Sequence, residues 1–315
     1  MRRDRQLVYV LAIAATCAGC KPNIDEEARK LVVPMAWPSA VMAVMTGTGE
    51  QLVESGRINL HKRVKAEDDV EIDAWVITSR SCPAPTRLVR GTVVLLPPLL
   101  TCKSWFLDLA GMLADRGWDV VLIDHRAHGW SGGRYVTWGA KEKHDVKAVM
   151  DALIAENAVN HSIYAVGASM GGAVAIQYAA IEPRCQGVMA IAPPAGARQI
   201  GRRILALLAE KDFEAALKRA GEMADFDPAD ADTVAAAGRL KCPLLLIHGL
   251  LDSVVPYGHG RAVFAAAPQP KKFVPQLLHG HSIEAGRNEW VLEQIETLHD
   301  LAQKRPSRLD STAAD

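Results

Sequence analysis

Ser169 stands at the centre of Gly167-Ala168-Ser169-Met170-Gly171, between the apolar run Ile163-Tyr164-Ala165-Val166 and the helix-forming run Ala173-Val174-Ala175-Ile176. A strand that turns sharply into a helix at Gly-x-Ser-x-Gly exposes the serine hydroxyl at the apex of a strained turn. The flanking glycines let strand and helix approach where a Cβ would clash. A serine hydroxyl is a weak nucleophile and needs a base to take its proton, with a carboxylate to orient that base. Asp252 follows the apolar run Leu244-Leu245-Leu246-Ile247, where the carboxyl end of a strand passes into a loop. Two candidate bases, His279 and His281, come after it in His279-Gly280-His281-Ser282. The order serine, aspartate, histidine suits the nucleophile-elbow architecture.

Each of these residues also has a plainer reading. Ser169 alone would pass as a helix N-cap, and Asp252 as a solvated turn residue. His279 and His281 form a His-x-His pair, but no third metal ligand stands at a convincing spacing, so no metal site is expected. Glu142 and Asp145 read as partners of a helix dipole, and His125 and His128 as structural or pocket-lining residues. No phosphate loop, dinucleotide fingerprint or His-Glu-x-x-His is present, and no cofactor is expected.

The elements that must position these groups follow from hydrophobic patterning. Residues 57–64 and 70–77 alternate with period two, as half-exposed antiparallel strands do. Residues 92–96, 120–123, 163–166, 188–191 and 244–247 are continuous apolar runs, which suit strands buried on both faces of a parallel sheet. Helical patterns separate them, and a final strand and helix are expected at 273–277 and 288–301. The result is an α/β, mostly parallel, doubly wound sheet that binds ligands at the carboxyl ends of its strands. Between Pro194 and Cys242 lies an amphipathic stretch without a strand, read as a small helical lid over residues 195–240. One helix is expected over 199–223 and a second over 229–240, with Ile200, Ile204, Leu205, Leu207 and Leu208 as an apolar lining.

Four segments together resemble the α/β-hydrolases, in the branch of the serine aminopeptidases and monoglyceride-lipase-like enzymes. They are Gly167 to Gly171, Asp124-His125-Arg126-Ala127-His128-Gly129-Trp130-Ser131-Gly132, His248-Gly249-Leu250-Leu251-Asp252, and Gly280-His281-Ser282. The resemblance implies an α/β-hydrolase domain over residues 57–302. It makes Ser169 the nucleophile, Asp252 the acid and His281 the base, with His279 the rival. The oxyanion strand departs from the family's His-Gly ending, because Pro97-Pro98-Leu99-Leu100 stands there. Proline has no N–H, so the expected donors are the backbone N–H groups of Leu99, or Leu100, and of Met170. The implied reaction is a carboxylesterase-like hydrolysis of small or lipid-like acyl esters. A peptidase or amidase on the same triad, and an inactive hydrolase-like binding protein, are the alternatives.

At 315 residues the chain is long enough for one large α/β domain, preceded at 21–56 by a tether and N-terminal segment with a short helix or loop lying on the domain, and followed at 303–315 by what reads as a flexible tail. Lys plus Arg equals Asp plus Glu at 36 each, and no basic block follows the N-terminus, which argues against nucleic acid as a partner. Residues 1–20 have the layout of a bacterial signal peptide: Arg2, Arg3 and Arg5, an apolar run over 7–16, then Ala18-Gly19-Cys20. Cys20 is the expected lipidation site and membrane anchor of an exported, cell-envelope protein, with a plain signal peptide as the other reading. Ten apolar residues are too few to span a bilayer. Lys21 after Cys20 resembles outer-membrane sorting. Cys82, Cys102, Cys185 and Cys242 complete the cysteines, with Cys185 and Cys242 read as either a disulfide or buried thiols.

Overall fold

The apolar runs pair into one eight-stranded sheet in a computed structural model that describes residues 21–79, 89–282 and 285–304. The strands are β1 (Leu60–Lys65), β2 (Glu71–Ile77), β3 (Thr92–Leu96), β4 (Asp119–Ile123), β5 (Ile163–Ala168), β6 (Cys185–Ile191), β7 (Leu244–Gly249) and β8 (Lys271–Gln276). Their spatial order is β1-β2-β4-β3-β5-β6-β7-β8. The first three neighbours pair antiparallel, and every pairing from β4 onward is parallel. The chain has the α/β-hydrolase fold.

Alternate residues of each central strand enter opposite cores. Val94 and Leu96 pack with Val121 and Ile123 on one face, while Val93 and Leu95 pack with Val120 and Leu122 on the other. The first face is covered by α5 (Glu142–Ala155), α6 (Met170–Ile181), α9 (Thr233–Gly238) and α10 (Tyr257–Ala266). The second is covered by α3 (Gly49–Glu54), α4 (Leu107–Asp115) and α11 (Asn288–Gln303). Complete burial of one such aliphatic side chain favours folding by about 1.5–3 kcal/mol, so both layers anchor the sheet.

The strand order reverses at β3, whose neighbours are β4 on one side and β5 on the other. Loops leaving β3 and β5 therefore diverge and open a crevice at their carboxyl ends, which is where ligands bind in such sheets. Ser169 leaves β5 at that point, and Pro97 leaves β3 beside it.

The N-terminal segment and the insertion after β6 differ in detail from the sequence reading. Where a tether with one short helix or loop was expected, residues 21–56 carry α1 (Ile24–Val32), α2 (Ala36–Thr46) and α3. α1 buries Ala28, Leu31 and Val32 against Phe213, Ala216, Leu217 and Ala220 of α8 (Glu210–Ala224). The amphipathic stretch expected as one helix divides into α7 (Ala197–Ile204) and α8. It breaks because Leu205 turns inward onto the α1 cluster while Leu207 points to solvent. The second expected helix shortens to α9, because Asp232 caps a new start by accepting from Ala235 N at 2.9 Å. The signal peptide, Cys20, Cys82 and the end of the tail from residue 305 lie outside the described residues.

Candidate active site

Ser169 sits at φ +52° and ψ −120°, a region that a non-glycine residue occupies only when its surroundings hold it there. What holds it is backbone contact on both sides of the turn. A Cβ on Gly167 would lie 2.1 Å from the carbonyl oxygen of Gly171, and one on Gly171 would lie 2.1 Å from that of Leu96. The second contact presses the start of α6 against the end of β3. It brings Met170 beside the Pro97–Leu100 loop, and Leu99 packs on the apolar cluster that contains Met170.

The three residues singled out in the sequence meet here. The Ser169 hydroxyl donates to His281 Nε2 at 2.8 Å, and His281 Nδ1–H donates to Asp252 Oδ2 at 2.8 Å. These two bonds require the Nδ1–H tautomer, which leaves Nε2 free to accept a proton. Asp252 Oδ1 accepts from the N–H groups of Val254 and Val255 at 2.9 and 2.8 Å, so the carboxylate cannot swing away. Burial pushes the Asp252 pKa up. Hydrogen bonds from His248 and His281, with the charge of His281, outweigh that and hold the carboxyl below the usual carboxylate range. An ionised Asp252 is what an imidazolium at His281 needs beside it.

His248 had no assigned role in the sequence reading beyond its place in the His-Gly segment. It is fully buried at the end of β7, with Nε2 donating to Val255 O at 2.8 Å and lying 3.4 Å from Asp252 Oδ2. His279, the rival base, stands elsewhere: its Nε2 accepts from Arg287 Nη1 at 3.2 Å.

The candidate oxyanion donors are separated by what they already bind. Leu100 N–H donates to His128 Nε2 at 3.1 Å and is used up. Among the described residues no bond engages the N–H of Leu99, nor that of Met170, the first residue of α6. These are the two groups named from the sequence, and they face the crevice end of β3 and β5.

His125 and His128, read as structural or pocket-lining, hold this loop. His125 Nε2–H donates to Pro97 O at 3.2 Å; His128 Nδ1–H donates to Arg126 O at 3.0 Å, which leaves its Nε2 to receive Leu100 N–H. Burial pulls both histidines down, His125 to about 4, so they are neutral and keep the acceptor that the strap needs. Lys103 closes the far end of the loop. Its backbone N–H donates to Asp124 Oδ1 at 2.6 Å, and its fully buried Nζ lies 2.5 Å from Asp124 and 2.7 Å from Asp73, over the ring of Trp75. Glu142 and Asp145 are also more than dipole partners. Glu142 accepts from Thr137 and Gly139 N–H, each at 2.7 Å, and Asp145 pairs with Arg126 through two bonds at 2.7 and 2.6 Å.

A buried apolar cluster surrounds Met170: Val136, Trp138, Ile200 and Val255, with Leu99 and Val254 packed on them. Of the lid residues expected as lining, Ile200 is buried in this cluster, with Ile204 packed against it, but Leu205 belongs to the α1 cluster, Leu208 packs on that same cluster and Leu207 is exposed. Cys185 and Cys242 are not disulfide-bonded: the Cys242 thiol donates to Cys185 Sγ at 3.9 Å, well beyond the roughly 2.05 Å of a disulfide. Among the described residues no group of three or more His, Cys, Asp or Glu is placed to hold a metal ion.

Comparison with known proteins is consistent with this geometry. The family model described as serine aminopeptidase, S33, matches residues 88–221, a span that includes Ser169. The chain is similar to the uncharacterized protein YqkD of Bacillus subtilis, at 24% identity over 76% of this chain and 83% of that one. It is likewise similar to the uncharacterized protein Rv2307c of Mycobacterium tuberculosis, at 24% identity over 89% and 92% of the two chains. Among solved structures the esterase Pf2001 of Pyrococcus furiosus superposes with a TM-score of 0.60 at 23% identity, covering 79% of this chain and 94% of that one.

Proposed function

We propose that this chain, an α/β-hydrolase in fold, is a serine hydrolase that cleaves acyl esters. The observation that carries the reading is the unbroken relay from Asp252 through His281 to Ser169, two bonds of 2.8 Å each, on a strained turn. In the proposed reaction Ser169 Oγ attacks the acyl carbonyl while its proton passes to His281 Nε2, and Asp252 stabilises the imidazolium. Leu99 N–H and Met170 N–H receive the oxyanion of the tetrahedral intermediate. His281 then protonates the departing alkoxide, leaving an acyl-Ser169. A water deprotonated by His281 attacks that acyl-enzyme, and the acid leaves as Ser169 regains its proton.

The apolar character of the cluster around Met170, with Val136, Trp138, Ile200 and Val255 and no charged side chain among its members, supports an aliphatic acyl group over a charged one. A second reading, peptidase or amidase on the same relay, is favoured by the match to the serine aminopeptidase model. A panel of p-nitrophenyl esters of increasing chain length against aminoacyl-nitroanilides separates the two. Turnover of medium-chain esters with no anilide cleavage supports the ester reading, and the reverse order overturns it.

We also propose export to the cell envelope with Cys20 as the acylated N-terminus. The basic start, apolar run and Ala18-Gly19-Cys20 ending support this. Mass spectrometry of the mature protein should find an N-terminal Cys20 carrying acyl chains; an unmodified terminus elsewhere refutes it.

A further inference from the structure

Among the described side chains of α2, the fully buried ones are small, Ser39 and Ala43, with Met42 half-buried, while Val41, Val44 and Met45 stand out from the domain, Val44 at 68% and Met45 at 83% exposure. Positions 41, 44 and 45 are three and four apart, so they form one stripe along the helix. A surface helix of a globular domain does the opposite and turns its larger apolar residues inward. Val33 and Met35, just before the helix, are exposed as well.

Charge is missing from the whole neighbourhood in sequence. Between Leu31 and Gly49 there is no Asp, Glu, Lys, Arg or His. Interfaces between soluble proteins surround an apolar centre with a polar rim, and α2 carries no charge from which to build one. A helix of 11 residues is about 16 Å long, far short of a bilayer core, and among the described residues no helix is long and apolar enough to cross a membrane. It is long enough to lie in the interface.

The chain that precedes the described residues points the same way. The apolar run over 7–16 and Cys20 end three residues before Asn23, which caps α1. The nine residues of α1 span about 14 Å and lead almost directly into α2. A membrane that receives the N-terminal segment is therefore within reach of α2.

We infer that α2 docks flat on a phospholipid surface, with Val41, Val44 and Met45 among the upper acyl chains. On its inner side α2 meets the short 3-10 turn Lys103–Phe106, the continuation of the oxyanion loop. Docking sets the loop that carries Leu99 next to the lipid phase. The consequence for substrate rests on the serine hydrolase reading: acyl esters would enter from the membrane rather than from bulk water.

The test is hydrogen exchange of full-length protein, read by mass spectrometry over residues 36–46, with and without vesicles of phosphatidylethanolamine and phosphatidylglycerol. Several-fold slower exchange with vesicles is expected, unaffected by added salt because the contact is apolar. The double variant Val44→Glu/Met45→Glu should lose that protection and keep wild-type turnover of a short soluble ester. Exchange of wild-type residues 36–46 that is the same with and without vesicles overturns the inference. Protection that appears without vesicles and rises with protein concentration also overturns it, in favour of a second copy on this face. If wild-type protein turns over no ester at all, the hydrolase reading fails while the exchange result still decides the docking.

Discussion

The two halves of the candidate site are built in opposite ways. The Asp252–His281 half consists of side chains on loops after β7 and β8, joined to each other and to Ser169 by one hydrogen bond each, with His281 only partly buried. The candidate oxyanion half consists of backbone N–H groups, held in place by residues that donate nothing to it themselves. Pro97, Leu100 and Lys103 are each tied to the segment from Asp124 to His128 by hydrogen bonds, buried at Pro97 and Lys103 and part-buried at Leu100. A proton-transfer group needs its own chemistry; a backbone donor needs only to be held still. That is why the second half carries the buried ion pairs of Lys103 and two neutral histidines.

Ways to break this contrast rank by expected effect. Ser169→Ala removes the nucleophile, and kcat should fall by about 10⁵–10⁶-fold with circular dichroism unchanged. Lys103→Met should cost stability more than any change in the relay. It removes the buried cation that Asp73 and Asp124 share and leaves Asp124 without its ion-pair partner, a loss of about 3–5 kcal/mol in urea unfolding. Melting within a degree of wild type would show that the pair is not holding the loop.

His128→Ala frees Leu100 N–H and should lower kcat by about 10²-fold, the scale of one misplaced oxyanion donor, with KM changed only a few-fold. His128→Gln, which restores an acceptor for Leu100, should recover part of the loss. Equal falls in kcat for both variants would reduce His128 to packing.

The same histidines set an acid limit on stability. Their folded pKa values lie below the ordinary histidine range, His125 at about 4, so the unfolded chain takes up protons that the native one refuses. Stability is full above about pH 6.5 and declines as pH falls towards 4, by about 1.4 kcal/mol per unit for each proton. Asp252, depressed instead, adds its loss only below the usual carboxylate range, at about pH 4 and lower. Urea midpoints between pH 7.5 and 4.5 measure the slope, and a flat profile would contradict neutral buried histidines. The smallest effect belongs to His279→Ala, which should leave kcat within about 3-fold because His279 bonds Arg287 rather than Ser169.

Legibility in the sequence follows the same division. Five of the eight strands were visible as short apolar runs bounded by turn residues and β1 and β2 by their strand-like patterning, while the spatial order β1-β2-β4-β3-β5-β6-β7-β8 came only from the structure. Ser169, Asp252 and His281 stood out because their side-chain types carry the chemistry, and the structure brings them within bonding distance. Lys103 did not, since a lysine reads as surface unless its partners are known, and Asp73 lies thirty residues away on another strand. His128 was seen without its purpose, because nothing local says that its acceptor meets Leu100. The helix break before α8 and the docking of α1 on it were equally hidden. Both depend on Leu205, Leu31 and Phe213 meeting across nearly two hundred residues of chain.

A serine nucleophile activated by His281 reacts with a fluorophosphonate probe. Covalent labelling of folded wild-type protein is expected, with the adduct mapped to Ser169 by peptide mass spectrometry and absent from Ser169→Ala. Folded wild-type protein that takes no label, or that is labelled equally when Ser169 is replaced, would contradict it.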